Sequence, residues 1–308
     1  MEINILAAAE RIAGQVVRTP LVETRIAGRR VWLKCECLQT GGAFKLRGAT
    51  NRLLLLSEAE RARGVVAFSS GNHAQGVATA ARRLGIAATI VMPADAPRLK
   101  IEGTRAEGAE IVFYDRRSES REAISASIAA KTGATVVPSF DDVRIVEGQG
   151  TVGLDIAEQL GGDPPLIAVP VGGGGLAAGI ALACPESRIL GAEPEGWDDM
   201  ARSLAAGTIV PVEADAPPTL CDALQTPRVS PITFEILRDR NATVVAVSDR
   251  EVGDAVRWAF VEHQLVVEPG GAAALAAMLS DKAEVEDNMV IVLSGGNVDP
   301  ELHARLVA

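Results

Sequence analysis

The chain has 308 residues, 48% of them apolar and only 3% aromatic. A large core is therefore available, and Ala, Val, Leu and Ile must fill it, which suits buried parallel strands covered by Ala-rich helices; the length alone suggests about two domains. A net charge of −10 argues against a nucleic-acid partner, whose binding relies on clustered Lys and Arg. No apolar run reaches the ~18 residues of a membrane-spanning helix, and the start "MEINILAAAERIAG" has no cationic stretch of the secretory kind. A cytosolic protein with a small-molecule ligand is expected.

In chain order, helical spacing marks "ILAAAERIAG", and Thr19-Pro20 ends it, because the residue before proline avoids the α region. "RRVWLKCECL" reads as a strand that carries Cys35 and Cys37 on one face, with no further Cys or His nearby to complete a zinc site. With Cys184 and Cys221 these make four scattered cysteines, expected to be reduced. From Asn51 onward helix and strand alternate. "NRLLLLSEAERARG", "NHAQGVATAARRLG", "RLKIEGTRAEG" and the stretch from Ser118 to Gly133 read as helices, and "VVAFSS", "AATIVMP", "EIVFY" and "ATVVPS" as strands.

The remainder repeats the theme. "TVGLDIAEQLG", "GGGGLAAGIALAC", "TFEILRDR", "EVGDAVRWAFVEHQ" and "GGAAALAAML" read as helices, and "LIAVPV", "RILGAEP", "ATVVAVSD" and "NMVIVLSGGN" as strands. Such alternation implies α/β units with right-handed crossovers in two open parallel sheets. The expected division is a smaller domain over residues 50–142 and a larger one over residues 1–49 and 143–308. "PVEADAPPTL" is the expected surface loop.

Three turns each follow an expected strand: "SSGNHAQG", "VGGGGLAAG" and "LSGGN". In open α/β sheets the carboxyl ends of strands line the ligand crevice, so these turns can converge. Gly172, Gly173, Gly174 and Gly175, between a strand and the helix that opens near Leu176, would let backbone N–H groups approach an anion at the positive helix end, as in a phosphate cup. A dinucleotide site with Glu193 on a ribose is one candidate, but the spacing is not G-x-G-x-x-G, and Lys45 in "GGAFKLRGAT" would have no use in it. Pyridoxal phosphate needs a phosphate cup, a lysine for its aldehyde, a donor for its ring hydroxyl and a partner for its ring nitrogen. The glycines, Lys45, Asn72 and Ser294 can supply these in turn.

The ordered motifs "RTPL", "GGAFKLRGA", "SSGNHAQGVA", "EGQGT", "VGGGGLAAG", "GAEPEG", "EPGGA" and "LSGGN" span nearly the whole chain. On them the chain resembles the fold-type II pyridoxal-phosphate enzymes, and within these the serine/threonine dehydratase and serine racemase group. The resemblance implies two open parallel-sheet domains of the tryptophan synthase β-like kind, with the cofactor in the cleft between them, and a homodimer. It implies that Lys45 bonds the cofactor with Phe44 beside it, and that Asn72 faces the ring hydroxyl. The four glycines and the Leu176 amide would hold the phosphate, and Ser294 the ring nitrogen. Ser69, Ser70, Gly71, Asn72 and His73 would face the substrate carboxylate.

The implied reaction is abstraction of the α-proton and β-elimination of the hydroxyl from a small β-hydroxy amino acid such as threonine or serine, after which hydrolysis of the unsaturated product gives a 2-keto acid and ammonia. Ser70 carries two readings: a second base opposite Lys45, as in the racemase-like branch, or a turn hydroxyl. The same branch implies a Mg²⁺ or Ca²⁺ ion on Glu193, the Trp197 carbonyl and Asp199. "CDALQT" departs from the family's usual "ADG" beside the substrate, so a hydroxyaspartate or a hydroxyectoine-derived substrate stands beside serine and threonine, as does a serine or aspartate racemase. Arg47 is expected to be structural.

Overall fold

The computed structural model describes residues 3–69, 71–96 and 98–308. Helix α1 (Ile5–Ile12) leads to a hairpin, β1 (Leu21–Ile26) and β2 (Arg29–Cys35). Then come α2 (Lys45–Leu54), α3 (Glu58–Arg63), β3 (Val65–Phe68), α4 (Asn72–Leu84), β4 (Ala88–Pro93), α5 (Arg98–Ala106), β5 (Glu110–Tyr114), α6 (Arg121–Thr132) and β6 (Thr135–Val136). The second half holds α7 (Val143–Leu160), β7 (Leu166–Pro170), α8 (Gly175–Ala183), β8 (Arg188–Pro194), α9 (Asp199–Ala206) and α10 (Pro231–Asp239). It ends with β9 (Thr243–Val247), α11 (Asp249–His263), α12 (Pro269–Leu279), β10 (Met289–Leu293) and α13 (Pro300–Val307).

Two sheets result. One has the order β5-β4-β3-β6, parallel throughout; the other has the order β1-β2-β10-β7-β8-β9, parallel except for the edge hairpin partner β1. Strands β7 and β10 are buried along their whole length, Leu166 to Pro170 and Met289 to Leu293, as expected of central parallel strands covered on both faces. Ala-rich α12, buried from Pro269 to Met278, packs on this sheet with Leu33, Ile291 and Leu293 in one core cluster. No described helix is long and apolar enough to cross a membrane.

The hydrophobic pattern foresees most elements, and the differences have local causes. Strand β2 stops at Cys35 and a 3₁₀ turn begins at Glu36, so Cys35 and Cys37 are not neighbours on one strand face; all four cysteines are free and buried. The segment read as one helix from Asn51 is two. Helix α2 starts earlier, at Lys45, and α3 begins at a Ser57/Glu60 capping box, in which each side chain bonds the other's backbone. Helix α7 starts at Asp142, whose carboxylate accepts from the Arg144 and Ile145 amides, so "EGQGT" lies inside a helix. Strand β1 and helices α9 and α13 have no counterpart in the sequence reading.

Candidate active site

Lys45 is the first residue of α2, and what precedes it fixes its position. Gly41 and Gly42 both adopt left-handed backbone, φ 75° and 74°, which turns the chain sharply. The next residues then pair with the turn after β10. Ala43 bridges Gly295, the Phe44 amide donates to the Ser294 carbonyl (3.2 Å), and the Gly296 amide donates to the Gly42 carbonyl (2.8 Å). This local antiparallel contact brings Lys45 and Ser294 to one cavity.

The wall of that cavity includes Phe44, Lys45, Ser69, Gly71, Asn72, His73, the four glycines 172–175, Leu176 and Ser294. Every described member of the expected cofactor and substrate set therefore lines it. Ser70 lies outside the described residues. The Lys45 amine donates to the Ser139 carbonyl (2.9 Å) and lies 5.1 Å from the Phe44 ring centroid. Burial lowers its pKa to about 8, because the charged form loses its hydration.

The glycine turn runs from the buried end of β7 into α8. Gly174 caps the helix at φ 83°, and its loop is pinned by the Thr233 hydroxyl, which donates to the Gly173 carbonyl (2.8 Å). Among the described residues, the Gly172, Gly173 and Gly174 amides donate to nothing, and the amides that open an α-helix have no partner within it. Five consecutive N–H groups thus remain for an anion at the positive end of α8. A Cβ at Gly173 would come within 2.3 Å of the Phe140 ring, so the turn is also packed tightly from above.

Asn72 and His73 open α4. Asn72 donates to the Glu268 carboxylate, and its Oδ1 accepts from Asn297 (2.8 Å). His73 Nε2 donates to the Val137 carbonyl (2.9 Å), and burial, with the Lys45 charge adding to it, drops its pKa to about 3. It is a neutral packing residue with a fixed tautomer.

Several lining residues escaped the sequence reading, among them Arg121, Ser139 and Phe140, whereas the stretch 222–226, part of the "CDALQT" segment expected beside the substrate, does line the cavity. Ser139 and Phe140 follow β6, so the rule that ligands sit at the carboxyl ends of parallel strands was the signal that could have found them.

Glu193 and Asp199 do not line this cavity. The Glu193 carboxylate accepts from the Met200 (3.0 Å) and Ala201 (2.9 Å) amides and so caps α9, away from the cavity of the glycine turn where a ribose would have to meet it. The dinucleotide reading falls with that geometry. Both Asp199 oxygens are buried without a hydrogen-bond partner among the described residues, and burial raises the pKa of this carboxyl to about 7. Among the described residues no three His, Cys, Asp or Glu side chains gather as a metal cluster.

A lysine of lowered pKa, an N–H-lined turn and a serine hydroxyl thus meet in one cavity at the carboxyl ends of parallel strands, the set of groups that pyridoxal phosphate needs. The comparisons agree. The sequence pattern of the family described as "Pyridoxal-phosphate dependent enzyme" matches residues 12–295, and the chain belongs to that family. It is 44% identical to an L-threo-3-hydroxyaspartate ammonia-lyase of Pseudomonas sp over 99% of this chain and 97% of that one. It is 38% identical to a serine racemase of Schizosaccharomyces pombe, over 99% and 96%. The solved structure of maize serine racemase superposes with a TM-score of 0.92 at 39% identity, covering 98% of this chain and 94% of that one. Two parallel sheets with the site between their strand ends are thus the fold-type II arrangement.

Proposed function

We propose that the protein is a pyridoxal-phosphate-dependent dehydratase that converts a small β-hydroxy amino acid into a 2-keto acid and ammonia. The observation that carries this is Lys45, a half-buried amine of lowered pKa facing the N–H-lined turn and Ser294 across one cavity. Pyridoxal phosphate, when bound, draws electrons from the substrate Cα and weakens its C–H bond. Lys45 takes that proton, which a neutral amine can do and an ammonium cannot. Gly172, Gly173, Gly174, Gly175 and Leu176 hold the phosphate through their amides. Asn72 donates to the ring oxygen, Ser294 meets the ring nitrogen, and Phe44 flanks the ring. The opening of α4, with Ser69 and Gly71, offers its positive end to the substrate carboxylate.

We read the substrate as a hydroxyaspartate. Arg121 lines the cavity with its guanidinium 5.4 Å over the Phe68 ring; its Nε is paired with the Glu122 carboxylate (2.9 Å), which leaves its Nη groups free of protein hydrogen bonds among the described residues. Thr226, which also lines the cavity, has a buried hydroxyl without a partner. A second carboxylate would meet the Nη groups of Arg121 and the Thr226 hydroxyl, and the hydroxyaspartate ammonia-lyase relative points the same way. The test is keto-acid release from serine, threonine and threo-3-hydroxyaspartate. Hydroxyaspartate should show the largest kcat/KM, and Arg121→Ala should cost it roughly 10- to 100-fold, as loss of a charged hydrogen-bond partner does, while serine changes little. No keto acid from any of the three would overturn the dehydratase reading, and equal losses for serine and hydroxyaspartate would remove Arg121 as the selector.

Racemisation is the second reading, supported by the serine racemase relatives and by a serine at position 70. Ser70→Ala should abolish racemisation of serine and spare elimination from the L-isomer; unchanged racemisation would return Ser70 to a turn hydroxyl.

A Mg²⁺ or Ca²⁺ ion on Glu193, Asp199 and the Trp197 carbonyl is part of the same proposal, supported by the two unpartnered Asp199 oxygens. Either cation should raise the melting temperature, and Asp199→Asn should remove that response. We also take the molecule to be a cytosolic homodimer divided into units 50–142 and 1–49 with 143–308, which sedimentation and limited proteolysis would check.

A further inference from the structure

Asn72 belongs to a short hydrogen-bond relay whose direction is set by the backbone. The Asn297 Nδ2 group donates to the Gly41 carbonyl (2.8 Å) and to Asn72 Oδ1 (2.8 Å), and Asn72 Nδ2 donates to Glu268 Oε1. A backbone carbonyl can only accept, so the nitrogen of Asn297 must face Gly41, and its second hydrogen goes to Asn72. The Asn72 oxygen is then committed, and its nitrogen faces away. One Asn72 hydrogen reaches Glu268, which leaves the other for the cavity. Turning either amide over would set oxygen against oxygen in a place where water competes little: Asn72 is 8% and Glu268 1% exposed.

The space for this relay is built in. A Cβ at Gly42 would come within 2.2 Å of Asn297 Oδ1, and one at Gly295 within 2.0 Å of Glu268 Oε1 and 3.0 Å of Asn72 Nδ2. Glu268 is faced by Lys100 on α5 and by Asp222, which are paired with each other, and its Oε2 is buried without a partner. A proton on Oε2 would leave Oε1 an acceptor, so the direction of the relay does not depend on the charge of this carboxyl.

We propose that Asn297 and Glu268 are positioning residues that lock the Asn72 carboxamide with its nitrogen toward the cavity, so that it presents a donor, not an acceptor, to the ring oxygen of the bound cofactor. The inference rests on the role given to Asn72 above. It also gives "GGAFKLRGAT" a further task, because the Gly41 carbonyl that sets the direction is four residues from Lys45.

The test is titration of the apo-protein with pyridoxal phosphate, read by visible absorbance, together with the pH midpoint of the bound cofactor's visible band. Asn297→Asp is nearly isosteric but replaces the donor by an acceptor, which turns the Asn72 oxygen toward the cavity. Its Kd for pyridoxal phosphate should rise roughly 10-fold, and the band midpoint should move to higher pH, because an ionised ring oxygen loses its donor. Glu268→Gln keeps an acceptor and should change both readouts little, whereas Glu268→Leu should resemble Asn297→Asp. In an Asn72→Ala background, Asn297→Asp should add nothing further. A wild-type Kd and band in Asn297→Asp overturns the relay, and so does an equal loss with and without Asn72, which is what loosened packing would give. Should Asn297→Asp fail to fold, the Glu268 pair decides, since equal effects of Gln and Leu also overturn it. If Asn72→Ala alone binds pyridoxal phosphate as the wild type does, the assignment of Asn72 itself fails.

Discussion

Lys45 is a cation in a place that disfavours cations. With burial lowering its pKa from 10.5 to about 8, the neutral amine that attacks an aldehyde becomes more abundant as pH rises toward and past 8. Capture of pyridoxal phosphate by the apo-protein should therefore accelerate with pH and level off above about 8, being roughly 100-fold slower at pH 6. Stopped-flow absorbance would measure this; a rate that is flat from pH 6 to 9, or that still climbs at pH 10, would contradict the burial argument. The same shift bears on stability. Between pH 8 and 10.5 the unfolded chain binds a proton at this site that the folded chain has lost, so this group makes the apo-protein more stable as pH rises through that window. Lysine, the glycine run and the serine after β10 are legible in the sequence because each needs a particular residue type. The Ser139 carbonyl that holds Lys45 is not, since any residue could supply it from 94 positions away.

At the scale of elements, α2 and α7 cross glycine against glycine. A Cβ at Gly148 of α7 would lie 2.6 Å from Gly48 Cα and 2.7 Å from the Arg47 carbonyl, and one at Gly48 would lie 2.9 Å from the Ile145 carbonyl. Helix α2, which begins with Lys45, thus rests backbone on backbone against α7. Gly148→Ala should force the two helices apart, cost about 1–3 kcal/mol as overpacking does, and displace Lys45 as well. Thermal unfolding should show the loss of stability and cofactor titration a weaker Kd; an unchanged melting temperature would mean that the crossing is looser than its geometry. This crossing explains why α2 and the start of α7 were misread. Their glycines look like breakers in one dimension and serve as contact points in three. Strand β1 was missed for a related reason. As an edge strand with mixed burial it lacks the apolar run that marks the central strands.

Across the whole molecule, a buried charge network ties the lysine helix to the larger sheet. Arg47 is 1% exposed; its Nε and Nη2 donate to the two Glu36 oxygens (2.9 and 2.8 Å), Nη2 also to Asp155 (2.7 Å), and Nη1 to the Thr151 hydroxyl (3.1 Å). Burial opposes its charge, but Glu36 and Asp155 more than offset this and raise its pKa. Lys34 joins from β2, bonding the Thr19 carbonyl (2.8 Å) and Gln159 (3.0 Å). Arg47→Met would strand the Glu36 carboxylate and leave Asp155 only Lys34 (3.5 Å), and should cost about 3–5 kcal/mol in urea unfolding; Arg47→Met with Glu36→Leu should recover part of that. No recovery would show that the arginine acts through packing alone. Arg47 is thus structural, as its sequence context suggested, but the network it serves joins α2, β2 and α7.

By itself the sequence determined the class of fold and the chemistry of the site. Alternating periodicities specify parallel strands with covering helices, and a lysine, an asparagine and a glycine cup each demand a residue type that a motif preserves. Only the tertiary structure decided what orients them. The Asn297 amide reaches Gly41 across 256 positions and Asn72 across 225, and it selects which atom Asn72 turns to the cavity. The physical reason is that a side chain's identity is written locally, whereas the direction of a buried hydrogen bond depends on the partner that folding brings to it.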